Sequence, residues 1–381
     1  MERKHHFLPG ILIIILSMNT AAMLSGQTRS ELQIPDISGY ETLKCDFHMH
    51  TVFSDGSVWP TVRVDEAWRE GLDVISITDH LEYQPHKKDV AVDHNRSWEL
   101  ARGRADMLGI ILVRGTEITR SMPPGHFNAL FVTDAAAVDK SDFMEAVKEA
   151  VDQGAFIQWN HPGWTGQQPD GIARWYDIHT ELLEKGWLHG IEAVNSREYY
   201  PAVHDWCLKK NLTIIGNSDI HAPTFMSFDF NRGEHRAMTL IFAKERSLPA
   251  VREALFAGRT AIYFKDMIIG RREHLEPLAR ACLTLRRGPA VIKGKGSFSL
   301  WLTNNSDIPF YLEADGEDPL AAGPGSLTVR PRSTVLFRVT SRQEDAIAAR
   351  EIRLPYRITN FKTSGETCLR TDMCFTVTLE Q

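Results

Sequence analysis

Asp46-Phe47-His48-Met49-His50-Thr51-Val52-Phe53-Ser54-Asp55-Gly56 is the stretch whose reading decides the fold. It begins inside an apolar run at 43–48, which reads as a strand, and it ends in polar residues. Successive strand side chains alternate between faces, so His48 and His50, two apart, share one side and can grip one metal ion together. Strand ends carrying such residues are where α/β barrels build their active sites.

Working outward, residues 41–265 alternate short apolar runs with amphipathic ones. Runs at 43–48, 74–78, 110–115, 127–132, 155–160, 191–194, 212–216 and 238–242 read as strands covered on both faces. Helices are expected at 62–70, stopped by Gly71, and at 142–153, capped by Ser141 and stopped by Gly154. Two more are expected at 201–210 and at 248–257, the last following Ser247 with Pro249 in its first turn. Repeated β-then-α units predict an α/β fold with a parallel sheet, closed into a barrel or doubly wound.

Five further segments repeat the theme of the first. They are Thr78-Asp79-His80, Gly115-Thr116-Glu117, Gly125-His126-Phe127-Asn128, Trp159-Asn160-His161-Pro162-Gly163 and Asn217-Ser218-Asp219-Ile220-His221. All but the His126 segment, which enters a strand, place His, Asp or Glu at a strand end. Each alone reads as a structural histidine or a solvated acid; six together, gathered on one rim, read as a metal cluster. Neutral imidazoles mixed with carboxylates suit Zn²⁺, Mn²⁺ or Fe²⁺. Nine donors exceed one four-coordinate site, so two or three divalent ions are implied, a set that clamps phosphoryl groups.

The motifs DFHMHTVFSDG, ITDH, GTEI, GHFN, NHPGW and NSDIH, in this order over residues 41–265, resemble those of the PHP (polymerase and histidinol phosphatase) family of metal-dependent phosphoesterases. The resemblance implies a distorted (β/α)7 barrel of PHP type with a trinuclear site. It implies that His48, His50, Glu117 and Asp219 hold one ion, and Asp55, His80 and His221 a second. His126 and His161 would hold a third, with Glu117 bridging to the first. Hydrolysis of a small phosphorylated substrate by a metal-bridging hydroxide follows, with Glu117, His161 and Asp219 closest to the chemistry. Arg197 and Arg236 are candidate phosphate contacts, with His235 beside them. Asp79 is a candidate for orienting a ligand histidine, and Trp159, Trp164 and Trp175 could wall the pocket. An amidohydrolase-type metallohydrolase is the rival enzyme class. A non-catalytic binding protein using its tail is the rival outside enzymes.

Beyond about residue 278 the pattern becomes β-like runs between Gly, Pro and Asn/Asp turns, which predicts a small all-β (Ig-like) sandwich of about 100 residues. All fifteen histidines lie at or before His274. Trp301, Phe310 and Tyr311 are candidates for its core or for a binding face. Cys368 and Cys374 are near enough in sequence to be bridged across a turn. At the other end, a charged start and a 12-residue apolar run at 7–18 read as a signal peptide over 1–26, too short to span a bilayer. The expected units are therefore a leader at 1–26, a phosphoesterase domain at 27–277 and a β-domain at 278–381. The mature protein is expected to be exported to the periplasm, without a membrane anchor. With 43% hydrophobic and 24% charged residues the chain is globular, and a net charge of −6 argues against nucleic-acid binding through a basic surface.

Overall fold

The computed structural model describes residues 28–286, 291–293, 296–342 and 347–380; the leader expected at 1–26 lies outside them. The first half is built from β1 (Glu41–Asp46), β2 (Val74–Ile77), β3 (Ile111–Ile118), β4 (Phe127–Leu130), β5 (Phe156–Trp159) and β6 (Gly190–Asn195). A short β7 (Glu198–Tyr199) leads to β8 (Thr213–Asn217), and β9 (Met238–Ala243), β10 (Thr260–Phe264) and β11 (Met267–Gly270) follow. Every residue of β2, β4, β5, β6, β8 and β9 is buried, which is why these strands read as continuous apolar runs.

The connecting helices are α1 (Pro60–Arg69), α2 (Arg96–Leu108), α3 (Ala135–Val138), α4 (Phe143–Asp152), α5 (Asp177–Glu184), α6 (Pro201–Lys210), α7 (Thr224–Ser227) and α8 (Leu248–Phe256). Pro60 opens α1, where its missing N–H goes unmissed. The Ser247 hydroxyl accepts from the Ala250 N–H at the start of α8, as expected. The cap of α4 is Asp142 rather than Ser141, since the Asp142 carboxylate accepts from the Glu145 N–H at 2.9 Å. α2, α3, α5 and α7 have no counterpart among the helices expected from the sequence.

The sheet is mixed, not parallel. β1–β2–β3 and β5–β6–β8 are parallel runs, but β4 is antiparallel to both β3 and β5, and β9 is antiparallel to β1. The 119–126 connection holds no crossover helix, so the chain reverses and pairs back on itself. β1, β2, β3, β4, β5, β6 and β8 neighbour one another in that order in the sheet, which is consistent with the expected distorted seven-stranded barrel. Beyond the ends of β1 and β8 a short parallel backbone pairing joins the two, with Met49 bridging Ile220, Asp219 N donating to His48 O (2.9 Å) and His50 N to Ile220 O (3.0 Å). On its other side β8 meets β9 and β10 through side chains: the Thr239 hydroxyl bonds both Gly216 N (3.0 Å) and Gly216 O (2.8 Å), and the Thr260 hydroxyl donates to Ile214 O (2.7 Å).

α9 (Arg272–Cys282) leads into the tail, running across position 277. There β12 (Leu283–Arg286), β13 (Val291–Lys293), β14 (Ser297–Asn304), β15 (Phe310–Ala314), β16 (Ala321–Ala322), β17 (Ser326–Val329), β18 (Thr334–Ser341), β19 (Ile347–Lys362) and β20 (Cys368–Glu380) form two sheets. One, ordered β12–β14–β18–β16, is separate; the other joins the barrel sheet because β19 pairs in parallel with β11. One apolar core therefore runs from Phe242 and Ile268 through Leu278 to Phe310, Phe337 and Phe361. Phe310 is core, Tyr311 donates to the Asp266 carboxylate (2.8 Å), and Trp301 is 48% exposed. Cys368 and Cys374 are free and lie on the same strand, β20. Six residues of strand span roughly 20 Å, beyond disulfide reach, so the suggested bridge is excluded. No helix among the described residues is long and apolar enough to cross a membrane.

Candidate metal centre

The six segments meet at one end of the barrel. β1 stops at Asp46, two residues earlier than the sequence suggests, because side chains take over its ladder: Asn217 accepts from Phe47 N, and Asp46 accepts from Ser218 N and Oγ. His48 and His50 follow, fully buried, with ring centroids 5.1 Å apart. Glu117 lies within β3 rather than after it, and its backbone bridges His80 beyond the end of β2. His126 enters β4, yet the antiparallel pairing of Ile118 with Phe127 brings that entrance to the exit of β3. Phe127 also pairs with Trp159, so His161 beyond β5 stands beside His126, ring centroids 4.9 Å apart. Beyond β8 come Asp219 and His221, the latter stacked on His50 at 4.1 Å.

His161 (φ 30°) and Asp219 (φ 52°) both hold left-handed backbone conformations that non-glycine residues rarely adopt. Each is pinned: His161 N donates to Glu192 Oε2 (2.9 Å), and Asp219 N donates to His48 O (2.9 Å). Strain held this way clusters at functional sites.

Charge is concentrated here. Burial alone would raise the Glu117 pKa, but His80, His48 and His126 outweigh it and hold the carboxyl well below its usual range. Asp219 is likewise held low against its burial by His48, His50 and His161, and Asp55 by His221 and His80. In return the carboxylates overcome burial to push His80 up to about 10 and His48 well above its usual value. His50, crowded by burial and by His221 and His80, falls to about 3 and stays neutral.

Among the described residues, four groupings have ligand atoms within 4.8 Å of one another: His50, Asp55, His80 and His221; His48, His161 and Asp219; His48, His50 and Glu117; and His80, Glu117 and His126. The residues fit metal ions on a further count. His48 Nε2, His50 Nε2, Asp55 Oδ1, Glu117 Oε2 and His161 Nδ1 are buried without a hydrogen bond, a costly state unless something else binds them.

A family of Ig-like domains matches residues 286–373. A protein of Methanocaldococcus jannaschii, described only as uncharacterized, is 27% identical over 191 residues, 48% of this chain and 83% of its own. A crystal structure from Bacteroides vulgatus is 46% identical, with TM-score 0.86, over 92% of this chain and 100% of its own; it is described as a two-domain protein containing a predicted PHP-like metal-dependent phosphoesterase. The chain belongs to the PHP-like metal-dependent phosphoesterases.

Within this PHP-like centre, all nine residues singled out as ligands converge: His48, His50, Asp55, His80, Glu117, His126, His161, Asp219 and His221. Their partition differs from the one the resemblance implies, since His50 also groups with Asp55, His80 and His221, and His126 groups with His80 and Glu117.

The two arginines do not join them. Arg236 is fully buried, bonded to Asp46 Oδ2 (3.0 Å) and Glu70 Oε2 (2.8 Å), and cannot meet a substrate. Arg197 has a 62% exposed side chain that donates to Ser227 O and lies 3.7 Å from Glu234. His235 is held by the Arg236 and Lys265 carbonyls.

Asp79 accepts from Thr51 N and Oγ1 and from Ser54 Oγ, and Ser54 in turn lies 3.3 Å from His50 Nδ1, so its hold on the histidine is indirect. Trp164, 45% exposed, stands 5.3 Å from the His161 ring and walls the site, whereas Trp159 is wholly buried and packs against Trp175.

Glu192 was missed. It is buried in β6 and takes His48 Nδ1, Gln158, Asn217, Asn195 and His161 N on its two oxygens. A lone acid inside an apolar strand, Ile191-Glu192-Ala193-Val194, was the available signal.

Proposed function

We propose that this chain hydrolyses a small phosphorylated substrate with two or three divalent ions, Zn, Mn or Fe, held by the nine clustered residues. The observation that carries the reading is the set of five buried ligand atoms without hydrogen bonds, aimed among carboxylates kept ionised. Bound there, divalent ions supply charge stabilisation to phosphoryl oxygens and activation of water at neutral pH. The chain's own residues do the positioning. Glu192 fixes His48, Thr119 Oγ1 lies 2.6 Å from His80 Nδ1, and Ser54 holds His50. His50, being neutral, keeps a lone pair ready, while Glu117, Asp55 and Asp219 provide negative charge. With Arg236 buried, ions held by the nine residues would supply the positive charge a phosphoryl group needs, and Glu117, His161 and Asp219 would be the ligands through which the chain acts on the chemistry.

The reading extends to the whole chain: a leader at 1–26 removed on export to the periplasm, a catalytic unit at 27–277 and a β-unit at 278–381. A net charge of −6 supports a small substrate over a nucleic acid. The test is elemental analysis of the purified protein with p-nitrophenyl phosphate and bis-p-nitrophenyl phosphate assayed on the same sample. Two or three ions per chain and chelator-sensitive turnover, lost in the H48A/H50A double variant, are expected. One ion or none, with no turnover after Mn²⁺ or Zn²⁺ is returned, would overturn it.

A further inference from the structure

α1 carries a residue that no motif marks. Arg63, in its first two turns, is fully buried beneath the metal centre, and its planar fork is entirely used. Nε donates to His50 O (2.8 Å). One terminal nitrogen donates to Ile220 O (3.0 Å) and His221 O (2.7 Å), and the other to Ala222 O (2.9 Å) and Glu66 Oε2 (2.8 Å). Four of these acceptors are main-chain carbonyls of the two segments that carry His50 and His221. Those segments have already left β1 and β8, and they are otherwise joined by the Met49–Ile220 bridge and by the bonds from His50 N to Ile220 O (3.0 Å), Asp219 N to His48 O (2.9 Å) and Ser57 N to His221 O (2.9 Å). Glu66 balances the charge, and its other oxygen accepts from Thr224 N (2.9 Å), fastening the chain just past His221 to the same helix.

We infer that Arg63 is a positioning residue that sets the spacing of His50 and His221, and thereby the affinity of the ion held by His50, Asp55, His80 and His221. The inference rests on the reading of the cluster as a metal centre. The grouping of His48, His161 and Asp219 contains neither of the clamped residues His50 and His221, and His161 comes from a third segment, so its ion should depend far less on Arg63. Lysine cannot substitute: an ammonium offers three donors from one point, where the site uses five in a plane.

The test is metal binding by the full-length protein, not turnover. Zn²⁺ titrations against a competing chelator would be run on wild type, Arg63→Lys, Glu66→Gln and Val251→Ala, with Co²⁺ absorption spectra alongside. Val251 is buried in the core under α8, away from the cluster, and controls for stability lost without any change at the site. In Arg63→Lys one class of ion is expected to weaken at least tenfold, a loss typical of residues that orient ligands, with the remaining class within twofold of wild type. The Co²⁺ spectrum should change in the same variant, Glu66→Gln should fall between, and Val251→Ala should match wild type. Should Arg63→Lys fail to fold, Glu66→Gln, which leaves the guanidinium in place, decides alone by the same measure. Wild-type affinities in the clamp variants, or equal loss of every ion matched by Val251→Ala, would overturn the inference. A wild type that binds no metal would instead overturn the metal-centre reading.

Discussion

Glu192 Oε1 stands 2.8 Å from His48 Nδ1, and both side chains are fully buried. Every partner of the two Glu192 oxygens is a donor, so the carboxylate both turns the His48 Nε2 edge toward Asp219 and holds the strained turn at His161. Glu192→Gln keeps the shape but sets an NH₂ against donors. Ions held through His48 and His161 should bind about 10- to 100-fold more weakly. Chelator competition on the folded variant measures it, and unchanged affinity would show that His48 needs no such partner.

Metal binding must displace protons. The carboxylates around them shift His48 upward and raise His80 to about 10, so at pH 7 His80 carries a proton in the ion-free protein. Binding has to release it, and affinity should therefore fall as pH falls. Calorimetry of Zn²⁺ binding in two buffers of different ionisation heat should show one or more protons released per chain near pH 7. No buffer dependence would contradict the proton-loaded state.

How much of this was legible follows from where each signal sits. Strand runs and the ligands at their ends could be read because burial on both faces demands apolar runs, and chemistry interrupts them with His and Asp. Even so, the entrance of His126 looked anomalous until the antiparallel β4 turned that entrance onto the rim. Sheet direction is a non-local property, set by which edges meet. Arg63 was invisible because Thr61-Val62-Arg63-Val64-Asp65 reads as an ordinary helix start, and its burial depends on carbonyls about 160 residues away. Arg236 misled for the converse reason: an arginine near the last strand resembles a phosphate contact until Asp46 and Glu70 are seen to claim it.

Asp73 offers a stability test away from the metals. Its carboxylate accepts from Lys44 N (2.9 Å) and pairs with Lys44 Nζ (3.0 Å) and Arg246 (2.7 Å). Burial would raise its pKa, but these partners lower it below the usual value. A group depressed in the folded state stabilises above its unfolded pKa of about 3.9, and that contribution is lost as pH falls through the folded value. Asp73→Asn should cost about 1–3 kcal/mol at neutral pH, with the gap to wild type narrowing as pH falls below the unfolded value of about 3.9 and turnover unchanged. Denaturant unfolding at the two pH values reads both.

The β-unit should not be separable from the barrel. β19 pairs with the outer edge of β11, and Asn360 Nδ2 donates to Asp266 O (2.6 Å) and Pro309 O (2.8 Å), so the tail continues the barrel sheet. Beneath it Phe242, Ile268 and Leu278 share a core with Phe310, Ile358 and Phe361. Cutting the chain after Cys282 would bare that apolar face and leave β11 as an open edge, a template for aggregation. The truncated protein is expected to be insoluble or to form large assemblies by light scattering, although every candidate ligand is retained. A soluble, monomeric, metal-binding fragment would show instead that the shared core is dispensable and that the barrel folds by itself.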